Sequence, residues 1–254
     1  MVDTIRFQEA VTFVQHRSLT NSAGIGTLRE KTLHAVLKYY YEPHCENHEI
    51  TIGQYVADIV DENGIIEIQT AHLSPLKAKL TAFLEVCPVT VVHPVACKRR
   101  LLWINPQTGD VSAPRRAPCK DPRAEIFLEL CRVRDFLKCP NLTFCFPLLE
   151  IDEYRFLNLK QKNPHKKASR LDKIPTSIHD EWMFQSLKDY FAYLPAGLPL
   201  QYDSAMFAKK AQAAVSTARI MLNVLNTLGI VKRIGKKGNS YLYESVRHPS
   251  DFGL

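Results

Sequence analysis

The stretch Tyr55–Thr70, YVADIVDENGIIEIQT, decides the fold class. Asn63-Gly64 lies between two runs of β-branched residues, and Asn-Gly in that setting is the strongest short-range hairpin signal. The expected strands are Ile50–Val60 and Ile65–Thr70, joined through Asp61–Gly64. Side chains alternate faces along a strand, so Glu67 and Gln69 share one. A two-residue Asn-Gly turn sets Asp58 opposite Gln69. A turn over all four residues Asp61–Gly64 sets it opposite Glu67. Either register puts Asp58, Glu67 and Gln69 on one face and turns Ile59, Ile66 and Ile68 to the other, into the core. Two carboxylates side by side on a sheet repel each other. A hard divalent cation removes that cost, and Mg²⁺ suits oxygen ligands on rigid strands with substrate phosphate completing its shell. The surrounding apolar residues argue for a half-buried pair of acids.

Outward from this hairpin the two periods alternate. Leu33, Val36, Leu37 and Tyr40 give helical spacing over Leu28–Tyr41. Ser74 as N-cap and Pro75 at the first helical position open a helix to Leu84. Val89–Val92 reads as a strand buried inside a sheet. A second hairpin is expected at Arg100–Ile104 and Asp110–Ala113, then a helix at Ala124–Leu137 and a strand at Leu142–Ile151. The order predicts an α/β fold, a mixed sheet flanked by helices.

The chain has 254 residues, 46% apolar and 23% charged, enough for one large domain or two ordinary ones. No apolar run approaches the roughly 20 residues of a membrane helix, and the N-terminus lacks the apolar core of a signal peptide. Seven cysteines without CxxC spacing disfavour a disulfide framework and a zinc ribbon and fit the cytoplasm. Charge is uneven. Residues 1–157 hold 18 Lys and Arg against 19 Asp and Glu, a net of −1, whereas residues 158–254 hold 15 against 7, a net of +8. That asymmetry suits a module facing nucleic acid. Leu159–Lys173, polar and basic with Pro164 inside, reads as a linker. After it, helices at Asp180–Tyr193, Ser204–Gln212 and Val215–Leu228 are followed by a hairpin of Ile230–Ile234 and Tyr241–Tyr243 around Gly235–Asn239. Three short helices and a hairpin describe a winged helix-turn-helix. The expected organisation is an N-terminal segment 1–26, an α/β domain 27–157, a basic linker 158–175 and a winged-helix domain 176–254.

The acid-bearing elements, Glu30 in LREKTLH, Asp58 in VADIVD, and Glu67 with Gln69 in IIEIQT, followed by a helix and a strand, resemble the PD-(D/E)XK nuclease superfamily over roughly residues 24–150. The resemblance implies a restriction-endonuclease-like fold and Mg²⁺- or Mn²⁺-dependent hydrolysis of DNA phosphodiesters. Asp58, Glu67 and the carbonyl of Ile68 would bind metal, and Glu30 would complete the acidic cluster. Gln69 stands where the family usually has lysine. It can orient the attacking water only by hydrogen bonds, so Lys77 or Lys79 is a candidate for the displaced charge. Glu49 competes with Glu30 as third acid. On one regular strand with Asp58 it faces the other way, unless Gly53 marks a bulge. His34, one turn after Glu30, is either a site neighbour or a partly buried polar residue.

His44-Cys45 and His48 form a weak metal pattern without partner cysteines. Lys98-Arg99-Arg100 and Arg115-Arg116 meet if the second hairpin forms, as a phosphate clamp or a solubilised edge. In the C-terminal module, Ser216, Thr217, Arg219 and Asn223 of the recognition helix are candidates for base or phosphate contact. Lys236, Lys237 and Asn239 at the wing, with Lys209 and Lys210, are candidates for phosphate contact. The expected partner is DNA, with a homodimer or larger nucleoprotein assembly compatible with it. The alternative is a non-catalytic DNA-binding regulator with a degenerate nuclease fold.

Overall fold

A computed structural model describes residues 2–20, 32–162, 165 and 168–245. In chain order the elements are helix α1 (Thr4–Thr20), α2 (Thr32–Tyr41), strands β1 (His48–Ile52), β2 (Tyr55–Asp61) and β3 (Gly64–Ile68), α3 (Lys77–Leu84), β4 (Val89–Val92), β5 (Val95–Ile104) and β6 (Arg115–Ala117). They continue with α4 (Pro122–Arg132), β7 (Leu142–Phe156), β8 (Ser169–Phe184), α5 (Leu187–Phe191), α6 (Ser204–Ala211), α7 (Val215–Leu228), β9 (Val231–Lys237) and β10 (Ser240–Ser245). Eight strands form one mixed sheet in the order β1-β2-β3-β4-β7-β5-β6, with β8 also pairing β7; β9 and β10 form a separate ribbon. The fold is therefore mixed α/β, a large sheet with helices.

The chain divides into two compact units. The first comprises Met1–Thr70, Val92–Cys119 and Phe146–Trp182; the second comprises Ala71–Val91, Lys120–Cys145 and Met183–Leu254. Strands β4, β7 and β8 each pass from one unit into the other along the chain.

Within the first unit the expected strand Ile50–Val60 is two strands. Gly53, at φ +60°, and Gln54 form a tight turn that pairs Ile52 with Tyr55. Glycine opening a two-residue hairpin turn suits that positive φ, so Gly53 makes a turn and not a bulge. The next hairpin pairs Ile59 with Ile66, Val60 with Ile65 and Asp61 with Gly64. This is the register of the four-residue turn. Asp61 holds it through one carboxylate oxygen, which accepts the N–H groups of Asn63 at 2.8 Å and Gly64 at 3.0 Å.

Other expectations shift. Ser74 makes no side-chain cap; a 3₁₀ turn over Ser74–Leu76 precedes α3, and the buried carboxylate of Glu129 accepts the Leu73 N–H at 2.9 Å. β5 pairs antiparallel with Arg115–Ala117, while Ile104 and Val111 make only an isolated bridge. The expected helix Asp180–Tyr193 is wrong at its start. β8 starts at Ser169, takes in the end of the expected linker and runs on to Phe184, and the helix begins only after Ser186. Ser186 and Asp189 form a capping box there, satisfying the first amides reciprocally. Residues 182, 184, 187 and 191 imitate helical spacing, yet 182 and 184 alternate along a strand.

In the second unit α6 and α7 are joined through Gln212 in the left-handed conformation, φ +50°. Their common core holds Phe207, Ala218, Met221, Leu222, Leu225 and Leu228. Tyr202 bridges to Tyr243, adding a short edge to the β9–β10 ribbon. Three helices followed by a two-stranded ribbon keep the expected element order, with α5 shortened to Leu187–Phe191 and the Tyr202–Tyr243 bridge an addition.

Candidate acidic site

Asp58 and Glu67 occupy opposing positions by continuation of the Ile59–Ile66 register. There the side chains take over from the backbone ladder. Glu67 Oε1 accepts the Asp58 N–H at 3.1 Å, and Asp58 Oδ2 accepts the Ile68 N–H at 2.8 Å. Carboxylates fixed by amide donors need not repel freely as two solvated charges would. The acid-bearing face is covered: Glu67 is 2% exposed and Ile65, beside it, 1%. The Asp58 side chain retains 21% exposure, so solvent reaches the pair from its side.

The turn at Gly53 changes the reading of Glu49. His48 pairs with Ile59 and Ile50 with Ala57, which sets Glu49 opposite Asp58 on the neighbouring strand. The argument that placed it on the far face assumed one continuous strand. Glu49, Asp58 and Glu67 thus stand at one level across β1, β2 and β3. Glu49 has a left-handed backbone, φ +56°, a conformation that costs a non-glycine residue of order 1 kcal/mol or more.

Helix α2 brings an imidazole and an ammonium to the acids. His34 Nε2 lies 3.4 Å from Asp58 Oδ2. One turn on, Lys38 places its ammonium 3.0 Å from Glu49 Oε1. Lys38 is 4% exposed, and a buried lysine requires a charged or polar partner. Neither Lys38 nor His93 figured among the sequence candidates. The i, i+4 spacing of His34 and Lys38 on an otherwise apolar helix was the available signal. His93, buried at 4%, donates from Nδ1 to the Gln69 carbonyl at 2.7 Å, while the Gln69 N–H donates to Val92 O at 2.8 Å. The backbone after Glu67 is therefore held at both polar atoms of Gln69.

Glu30 lies outside the described residues. Among the described residues no group of three or more His, Cys, Asp and Glu side chains is close enough to hold a metal ion. Asp58 and Glu67 supply two hard oxygen donors, the number from which Mg²⁺ is commonly held when substrate phosphates and waters complete its shell. Lys77, considered for the displaced charge, instead donates to Asp135 at 2.9 Å, which holds the Asp135 carboxyl below its ordinary value. Lys79 lies over the Phe83 ring at 5.5 Å. His44 Nδ1 is 2.7 Å from Glu42 Oε1, and His48 Nε2 donates to Glu42 O at 2.8 Å, so this loop is internally tied.

All but one of the candidate nucleic-acid residues are exposed: Lys209 and Lys210 at the end of α6, Ser216, Arg219 and Asn223 on α7, Lys236 and Lys237 on β9, and Asn239 in the ribbon turn. Ser216, Arg219 and Asn223 fall at i, i+3 and i+7, one stripe of α7 opposite its buried side. Thr217 is the exception. It is 4% exposed and faces the core. The turn is shorter than expected, because Lys237 pairs with Ser240 and leaves Gly238-Asn239 between them, with Gly238 at φ +59°. Sequence reasoning missed Arg233 and Tyr241: the guanidinium of Arg233 sits 3.7 Å and the Lys236 ammonium 4.8 Å from the Tyr241 ring centroid.

A protein of Treponema pallidum (strain Nichols), described as "Uncharacterized protein", is 26% identical over 223 residues, covering 86% of each chain. No solved structure matches. The family described as Domain of unknown function (DUF8091) matches residues 31–185, a span that closes just after β8 and leaves α5–β10 outside. The chain belongs to that family.

Proposed function

We propose that this protein is a metal-dependent DNA endonuclease of the PD-(D/E)XK type, carried to DNA by a winged-helix module. The observation that supports it most is the fixed opposition of Asp58 and Glu67, with Glu49 in the same row and a buried lysine beside it. Asp58, Glu67 and the Ile68 carbonyl would hold Mg²⁺ or Mn²⁺, with Glu30 completing the acidic cluster. A metal held there would supply Lewis acidity for phosphodiester hydrolysis, and the Gln69 amide would orient a water by hydrogen bonds. Lys38, paired with Glu49, would set a positive charge beside the acid row, where the Glu-x-Gln pattern has none. His34 Nε2, 3.4 Å from Asp58 Oδ2, would hold a proton toward that carboxylate.

In the other unit, Ser216, Arg219 and Asn223 would contact base edges or phosphates. Lys209, Lys210, Lys236, Lys237 and Asn239 would contact the backbone. The test is nicking of supercoiled plasmid in Mg²⁺, wild type against Asp58→Ala, with a chelator as control. Metal-dependent nicking lost in the variant is expected; nicking equal in both sinks the proposal.

A second reading, a non-catalytic DNA-binding regulator, is favoured by Gln69 and by the use of one oxygen of each acid on a backbone amide. It expects DNA binding without metal-dependent cleavage.

A further inference from the structure

Strands β5, β7 and β8 carry charges on both faces, and the two faces differ. The parallel pairing of β5 with β7 matches Lys98 with Glu150 and Arg100 with Asp152. On that face each cation has its own acid: Lys98 Nζ lies 2.5 Å from Glu150 Oε1, and Arg100 grips Asp152 at 2.6 and 2.8 Å. The opposite face holds Arg99, Glu153 and Arg155 by the same register, with Arg170 reaching in from β8. There three guanidiniums meet one carboxylate.

Glu153 is fully buried. Arg155 lies 2.6 Å and Arg170 3.0 Å from its Oε1, and Arg99 Nη1 stands 3.6 Å from Oε2. Burial alone would raise the Glu153 carboxyl, yet hydrogen bonds and charge from Arg155 and Arg170 hold it below its ordinary value. It remains ionised and can neutralise only one of the three arginines. The arginine side chains keep solvent exposure of 33%, 28% and 54% for Arg99, Arg155 and Arg170. Arg115, paired with Leu101 on β6, adds an exposed cation to this face.

We propose that this face binds the phosphodiester backbone of DNA, with Arg99, Arg155, Arg170 and Arg115 as the phosphate-contacting residues and Glu153 as their positioning residue. Guanidinium forks match phosphate oxygens in pairs. A buried carboxylate that orients several arginines while cancelling one charge leaves a preformed cationic surface. The arginines come from four laterally neighbouring strands, a span of about 15 Å at the usual strand spacing. That is too wide for a single inorganic phosphate and suits a run of phosphates. These arginines belong to the first unit, whereas α7 and the ribbon belong to the second, and the choice of DNA rests on the reading above.

The experiment uses the full chain and a labelled short duplex, followed by anisotropy over a salt series, for wild type, Arg115→Gln/Arg170→Gln and Lys236→Ala/Lys237→Ala. Arg115 makes no ion pair among the described residues, and Arg155 still holds Glu153 in the double variant, so folding is checked simply by its melting curve. The arginine variant is expected to bind more weakly and to flatten the log–log salt slope by about 2 units, roughly 0.9 per phosphate contact removed. Inorganic phosphate at constant ionic strength should compete poorly; strong competition would mark a single-anion site and overturn the proposal. Wild-type affinity and slope in a folded arginine variant would overturn it too, while leaving DNA binding by the protein intact. A wild-type chain that binds no duplex even at low salt would instead sink the DNA reading as a whole.

Discussion

Glu67 reaches across the hairpin to accept the Asp58 N–H at 3.1 Å, and Asp58 reaches back to accept the Ile68 N–H at 2.8 Å. Each acid is thereby locked by the strand that carries the other. The rest of the candidate site follows from this exchange, because it fixes carboxylate positions in a partly covered setting where repulsion would otherwise move them apart.

Asp58→Asn keeps an oxygen for the Ile68 N–H and should leave stability nearly unchanged. Asp58→Ala removes the acceptor from a buried amide and should cost about 1–3 kcal/mol. Both should abolish metal-dependent cleavage. Urea unfolding beside a nicking assay separates the two effects; equal destabilisation by both variants would show that the hydrogen bond contributes nothing.

Lys38→Met keeps the apolar stem but removes the ammonium from Glu49. The account expects slower cleavage, with DNA affinity within a factor of about 2, since Lys38 is buried and neutralises an acid rather than a phosphate. Unchanged cleavage rates in single-turnover kinetics would remove Lys38 from the site.

The hairpin, the face shared by Asp58 and Glu67, and the helices flanking the left-handed Gln212 were legible in the sequence. Alternation and Asn-Gly carry short-range information of that kind. The Gly53 turn was not, because apolar residues on either side of it read as one strand; losing it set Glu49 on the face opposite Asp58. The start of α5 was also misplaced, since aromatic residues at 182 and 184 serve strand and helix patterns alike. Lys38 was passed over for a different reason: lysine is normally solvated, and its spacing from His34 gains meaning only with tertiary burial.

Glu153 gives the first unit a defined pH response. Its folded carboxyl lies below its ordinary value, so the stability it contributes is present above the unfolded carboxylate pKa and is lost as pH falls through the folded one. Glu150, lowered by Lys98 and His179, acts in the same direction. Glu153→Gln should flatten the acid limb of a urea-midpoint profile and cost about 3–5 kcal/mol at neutral pH, as expected on breaking a buried ion pair. A parallel profile for the variant would contradict this.

Arg123 holds the turn before α7, donating to Ala211 O at 2.7 Å and Gln212 O at 3.0 Å. Arg123→Ala should destabilise the second unit by about 2 kcal/mol, visible in thermal unfolding. DNA affinity should fall with it if the turn sets the aim of α7; full affinity in the folded variant would argue that α7 needs no such brace.

The most direct test of the central claim is Glu67→Gln in the full chain, measured for Mg²⁺-dependent nicking and for DNA binding together. Glutamine can still accept the Asp58 N–H, so the hairpin should persist, while its neutral amide is a far poorer metal ligand than a carboxylate. The account predicts cleavage reduced to background with DNA binding equal to or tighter than wild type. Cleavage at the wild-type rate would show that the Asp58–Glu67 pair is not the catalytic centre.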